Sequence, residues 1–147
     1  MFAILIVFTL SFNYGQKHKL ELEKANLNIK YLNELNFDIS HKILDISDAI
    51  SILDSSLTNK NESIPYGYYK EENMKSTVVP NRNAIFTSFI YAFALTINKK
   101  TESEVDIALG VHAGDHHIYP DCREEFYKKL FAALKEGNWN SENINLY

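Results

Sequence analysis

Gly110–Phe126 reads GVHAGDHHIYPDCREEF and packs three histidines, two aspartates, one cysteine and one arginine into a glycine-interrupted run. Apolar residues precede it from Val105 to Val111, and an amphipathic pattern follows from about Arg123. The spacing therefore predicts a buried strand, a polar loop and a helix. Open parallel α/β sheets place their ligand loops at such points, outside the carboxyl ends of the strands.

Working outward, the same alternation continues on both sides. The start, MFAILIVFTLSF, is one apolar run, as expected of a parallel strand covered on both faces. It is shorter than the roughly 20 residues that span a bilayer. No basic residue precedes it and no small-residue cleavage site follows, so a secretory leader is the weaker reading. From Gln16 to about Leu35 the apolar residues fall mostly at helical spacings, after a turn at Gly15. Phe37 to Leu44 alternates as a short strand, and Asp45 or Ser47 is placed to cap a brief helix through Leu53.

Residues 54–78 lack a period and read as a long loop. Pro80 to about Asn98 is apolar almost all round, which predicts a helix buried against the sheet. Arg123 to Gly137 carries Phe126, Leu130, Phe131 and Leu134 on one face, with Pro120 or Asp121 starting the helix and Gly137 ending it. The tail, NWNSENINLY, has no periodic pattern and reads as irregular. Strands alternating with helices in this order predict a parallel sheet with helices on its faces.

Composition sets the class. The chain has 147 residues, enough for one domain, and 46% hydrophobic with 23% charged residues is ordinary for a globular protein. A net charge of −4 supplies no basic field for a nucleic-acid backbone. Cys122 is the one cysteine, so no intrachain disulfide forms, and a cytoplasmic location without a membrane partner is expected.

Three segments carry candidate chemistry. In the Gly110 loop, His112 and Asp115 offer hydrogen bonds to a purine-like base, and Arg123 a bidentate clamp for phosphate or carboxylate. Its histidines, aspartates and Cys122 match no standard pair of zinc-ligand pairs, so no metal site is expected there. Cys122, at the start of the expected helix, is either a thiolate favoured by the dipole or a small space-filling residue. In VVPNRN (Val78–Asn83), Arg82 lies in a first helical turn, where a cation opposes the dipole, so it either meets an anionic partner such as phosphate or is simply an exposed arginine. In FNYGQKH (Phe12–His18), Tyr14, Gln16 and His18 either line a base pocket or serve singly as turn and helix-start residues. All three segments are expected on one edge of the sheet.

FNYGQKH, VVPNRN and GVHAGDHHIYPDCREEF, in this order, resemble the 7-cyano-7-deazaguanine synthases of the queuosine pathway, within the pyrophosphatase-loop ATPase superfamily. The likeness runs from about Leu10 to Leu134. It implies an incomplete Rossmann-like, adenine-nucleotide-hydrolase sheet with helices on both faces, spanning residues 1–147 as a single partial synthase domain. It also implies conversion of 7-carboxy-7-deazaguanine and ammonia to the nitrile, with ATP and Mg²⁺.

On that resemblance Arg82, Asp115, Asp121 and Arg123 are the catalytic candidates. Tyr14, Gln16, His18, Asn83, His112 and Cys122 are the candidates for substrate and nucleotide binding. The family's serine-glycine-glycine phosphate loop and its four zinc-binding cysteines have no counterpart among these residues, so the chain is expected to be the middle of the enzyme. A homodimer or a complementing fragment is the expected protein partner. The alternative is a catalytically dead chain that binds a nucleobase or a partner, or one half of a split synthase.

Overall fold

A computed structural model describes residues 6–53, 55, 78–111 and 119–147. The order of elements is β1 (Val7–Asn13), α1 (Leu20–Glu34), β2 (Ile39–Asp45), α2 (Ser47–Ile50), α3 (Arg82–Thr101), β3 (Val105–Ile107), a 3₁₀ turn (Pro120–Cys122), α4 (Glu124–Glu136) and β4 (Ile144–Leu146). The first four elements form one compact unit and the remainder a second. Each holds one parallel strand pair, so the α/β class expected from the alternation is observed.

In the first unit β1 and β2 pair in parallel from Val7↔Ile39 to Asn13↔Asp45. A parallel pair needs a crossover, and α1 supplies it. Gly15 turns the chain out of β1 at φ 83°, where a side chain would be strained. No residue of α1 is fully buried. Polar ties share the work of holding the helix: the Asn33 carboxamide donates to Ile39 O at 3.0 Å and accepts from Ile39 N at 2.9 Å, docking the end of α1 on the start of β2.

The second unit has an apolar core of Tyr91, Ala94, Ile107, Phe131 and Ile144. Tyr91 meets Phe131 edge-on, with ring centroids 5.7 Å apart, a favoured aromatic geometry. The buried residues of α3 are Ala84, Thr87, Tyr91, Ala94 and Asn98, a single stripe at helical spacing. The helix expected to be buried all round is therefore buried on one side, and Phe89 on the other side is 46% exposed.

Two further expectations are corrected. The tail is not irregular: Ile144–Leu146 pairs in parallel with Val105–Ile107, and Ile144 is wholly buried. Three residues are too few to show a period, and burial of Ile144 decides the pairing. The helix after the polar loop begins at Glu124, with Arg123 as its extended N-cap, whereas Pro120 heads a separate 3₁₀ turn. Tyr127 and Phe131 are its buried residues, so Tyr127 takes the inward place expected of Phe126. Gly137 ends the helix as expected, its N–H bonded to Ala133 O at 2.9 Å. Most of the long 54–78 loop lies outside the described residues.

Candidate functional site

In the second unit, β3 and β4 run parallel, and a cavity of about 450 Å³ opens at their carboxyl ends. Leu109 and Val111 line it just after β3, and Leu146 and Tyr147 at the end of β4. Cys122, Arg123, Glu124 and Tyr127 close the remaining wall. This is the edge where parallel α/β folds collect ligand loops.

The 3₁₀ turn is set in place from α3. Asn83, in the first turn of α3, directs its side-chain amide at Asp121 O, 3.4 Å away, and at Cys122 Sγ, 3.6 Å away. Arg82 Nε in turn donates to Asn83 Oδ1 at 3.4 Å. Asn81, which precedes the helix, adopts φ 58°, a left-handed conformation that asparagine tolerates better than most residues. Arg82, Asn83, Asp121, Cys122 and Arg123 are thus brought into one neighbourhood. Tyr127 records the electrostatics there. Burial pushes its phenol up to about 12, and Cys122 and Asp121 add to the rise, while Arg82 opposes it.

The FNYGQKH segment ends β1 in the first unit. Gln16 is buried, and its carboxamide is bonded within its own loop: Nε2 donates to Phe12 O at 3.2 Å and Oε1 accepts from Tyr14 N at 2.9 Å. Tyr14 is half-buried and His18 exposed. Asn13, at the end of β1, donates to Asp45 Oδ2 at 2.7 Å, while Asp45 Oδ1 accepts from Ser47 N and Oγ. These bonds from Ser47, and then from Asn13, hold the Asp45 carboxyl below its usual range.

His112 and Asp115 lie outside the described residues. Sequence reasoning passes over Tyr127, Leu146 and Tyr147 in the cavity wall, and over the bond between Asn13 and Asp45 at the end of β1. Tyr127 is legible from its four-residue spacing to Phe131. Among the described residues no three His, Cys, Asp or Glu side chains cluster as metal ligands, and no helix is long and apolar enough to cross a membrane.

Within the second unit, a parallel strand pair with a cavity at its carboxyl ends defines an α/β arrangement of the kind that takes small ligands. The particular family follows from comparison with known proteins. Residues 3–146 match the profile of the family described as queuosine biosynthesis protein QueC, and the chain belongs to that family. It is 44% identical over 138 residues to a 7-cyano-7-deazaguanine synthase of Marinomonas sp., covering 94% of this chain and 58% of the relative. A synthase of the same name from Hahella chejuensis is 46% identical, with 94% and 55% covered. 7-Cyano-7-deazaguanine synthase 1 of Colwellia psychrerythraea is 43% identical, with 94% and 59% covered. The chain thus spans little more than half the length of these relatives.

Proposed function

We propose that this chain takes part in the ATP-dependent conversion of 7-carboxy-7-deazaguanine and ammonia to 7-cyano-7-deazaguanine, as its family membership and its polar loops suggest. A carboxylate is a poor acylating agent until its oxygen is given a good leaving group. Transfer of AMP from ATP to the substrate carboxylate supplies one, with release of pyrophosphate. Ammonia displaces AMP to form the amide, and a second ATP-dependent activation drives loss of water to the nitrile.

Arg82 and Arg123 supply the cations that such charge development needs, as phosphate or carboxylate contacts. Asp115 and Asp121 face the substrate or Mg²⁺, which is bound through few carboxylates together with phosphate oxygens. Tyr14, Gln16 and His18 bind on the first loop, and His112, Asn83 and Cys122 on the others. Gln16 serves by shaping its loop, since its carboxamide already bridges Phe12 and Tyr14. The phosphate loop and zinc segment of the family are contributed by polypeptide other than these residues, as one partial domain completed by the rest. A location in the cytoplasm and a homodimer or complementing fragment belong to the same reading.

The observation that carries this reading is the Asn83 tie to the 120–122 turn, which sets the segment bearing Arg82 beside the turn whose Cys122 and the following Arg123 line the cavity. Calorimetric titration with 7-carboxy-7-deazaguanine tests it. Arg82→Ala and Arg123→Ala are each expected to weaken binding by about tenfold or more, the loss of a charge-assisted hydrogen bond. Unchanged affinity in both variants overturns the assignment.

A further inference from the structure

His41 stands on β2 between partners from two other elements. Its Nδ1 is 2.9 Å from Asn26 Oδ1 on α1, and its Nε2 is 2.9 Å from Ser11 Oγ on β1. An amide oxygen only accepts, so Nδ1 carries the proton. In the neutral ring Nε2 then accepts from the Ser11 hydroxyl. The three side chains form one chain of bonds from helix to strand.

Its location gives that chain a consequence. β1 and α1 are the two elements between which the Tyr14–His18 loop is strung. Ser11 lies just before the loop and Asn26 in the second turn of the helix after it. Asp45, on the same face of β2 by strand alternation, holds Asn13, the last residue of β1 before the loop. β2 therefore grips the strand–loop–helix segment on both sides of the loop. Because α1 buries no residue fully, apolar packing alone does not set its spacing from β1.

We propose that His41 is a positioning residue for the Tyr14–His18 loop: through Ser11 and Asn26 it fixes β1 against α1, so that Tyr14 and Gln16 are presented in one arrangement. The functional consequence rests on the reading of that loop as part of the deazapurine site.

The test compares His41→Ala, Asn26→Ala, Ser11→Ala and Ser11→Thr by amide hydrogen exchange at Tyr14 and Gly15, whose N–H groups are bonded within the loop. Calorimetric affinity for 7-carboxy-7-deazaguanine is measured on the same samples. His41→Ala, Asn26→Ala and Ser11→Ala are expected to speed exchange at both amides by about tenfold and to weaken binding by a similar factor. Ser11→Thr keeps the hydroxyl and is expected to restore both. Asn26 is exposed, so its variant folds even if His41→Ala does not. Unchanged loop exchange in folded Asn26→Ala overturns the proposal, as does faster exchange with unchanged affinity. Faster exchange in a chain whose unsubstituted form binds no deazapurine leaves the positioning role standing and removes the substrate reading.

Discussion

Asn83 donates to the Asp121 carbonyl at 3.4 Å and so ties the first turn of α3 to a 3₁₀ turn 38 residues further along the chain. One side chain thereby joins two arginine-bearing segments that lie far apart in the sequence. The tie is made through a main-chain oxygen, so it depends on asparagine at position 83 and not on which side chain stands at 121.

Asn83→Ala is therefore expected to cost about 1 kcal/mol, the usual net worth of such a hydrogen bond, and to free the turn. Urea unfolding reads the first effect. The alkylation rate of Cys122, whose sulfur is the second partner of Asn83, reads the second and is expected to rise. A variant with both quantities unchanged would show that the turn is held by other means.

Tyr127 gives a pH test. Its phenol is pushed from the ordinary 10 up to about 12, chiefly by burial. The folded state therefore holds this proton more tightly than the unfolded chain does. The stability it contributes is fully present below pH 10 and is lost as pH rises through about 12. In an ultraviolet titration, Tyr127 is expected to ionise late, near pH 12, and Tyr127→Phe should remove that contribution. A late step that survives the substitution would assign it elsewhere.

Tyr91 is almost wholly buried, and among the described residues its hydroxyl has no hydrogen-bond partner. Removing an unsatisfied buried hydroxyl while keeping the ring should be neutral or stabilising by up to about 1 kcal/mol. Tyr91→Phe is expected to behave so in urea unfolding, whereas Tyr91→Ala, which empties the contact with Phe131, should cost about 3–5 kcal/mol. A marked loss in Tyr91→Phe would reveal a partner for the hydroxyl.

Asp45 titrates below its usual range because Ser47 and Asn13 donate to the ionised form. The sign is opposite to that of Tyr127. This contribution is present above the unfolded carboxyl value of 3.8 and is lost as pH falls through the lower folded one. A carbon-detected titration of the carboxyl group should place Asp45 below 3.8, and Ser47→Ala should move it back up. A value at or above 3.8 in the unsubstituted chain contradicts the bonding described.

Much of this fold is legible in the sequence itself. The alternation of apolar runs and helical spacings marks β1, α1, β2, α3, β3 and α4, because each lies in a stretch long enough to show its pattern. β4 escapes because its three residues show no period and it exists through pairing with β3. The stripe on α3 escapes because small residues such as Ala84 and Ala94 pack inward while larger ones remain outside, and hydropathy does not register that. In the site, Arg82, Asn83, Asp121, Cys122 and Arg123 stand out as chemical types in short motifs. Tyr127 and Tyr147 do not, because an aromatic at helical spacing or at a chain end reads first as packing. His41 is hidden in a strand, where only the register with β1 shows which partner it meets, and Asp45, legible as a helix cap, conceals its tie to Asn13 in the same way.

The most direct test of the central claim is turnover. The purified protein, together with the polypeptide that supplies the family's phosphate loop and zinc segment, is incubated with ATP, Mg²⁺, ammonium and 7-carboxy-7-deazaguanine, and the products are followed by mass spectrometry. The proposed function predicts the nitrile, with AMP and pyrophosphate released. Folded protein that forms neither amide nor nitrile and consumes no ATP would contradict it.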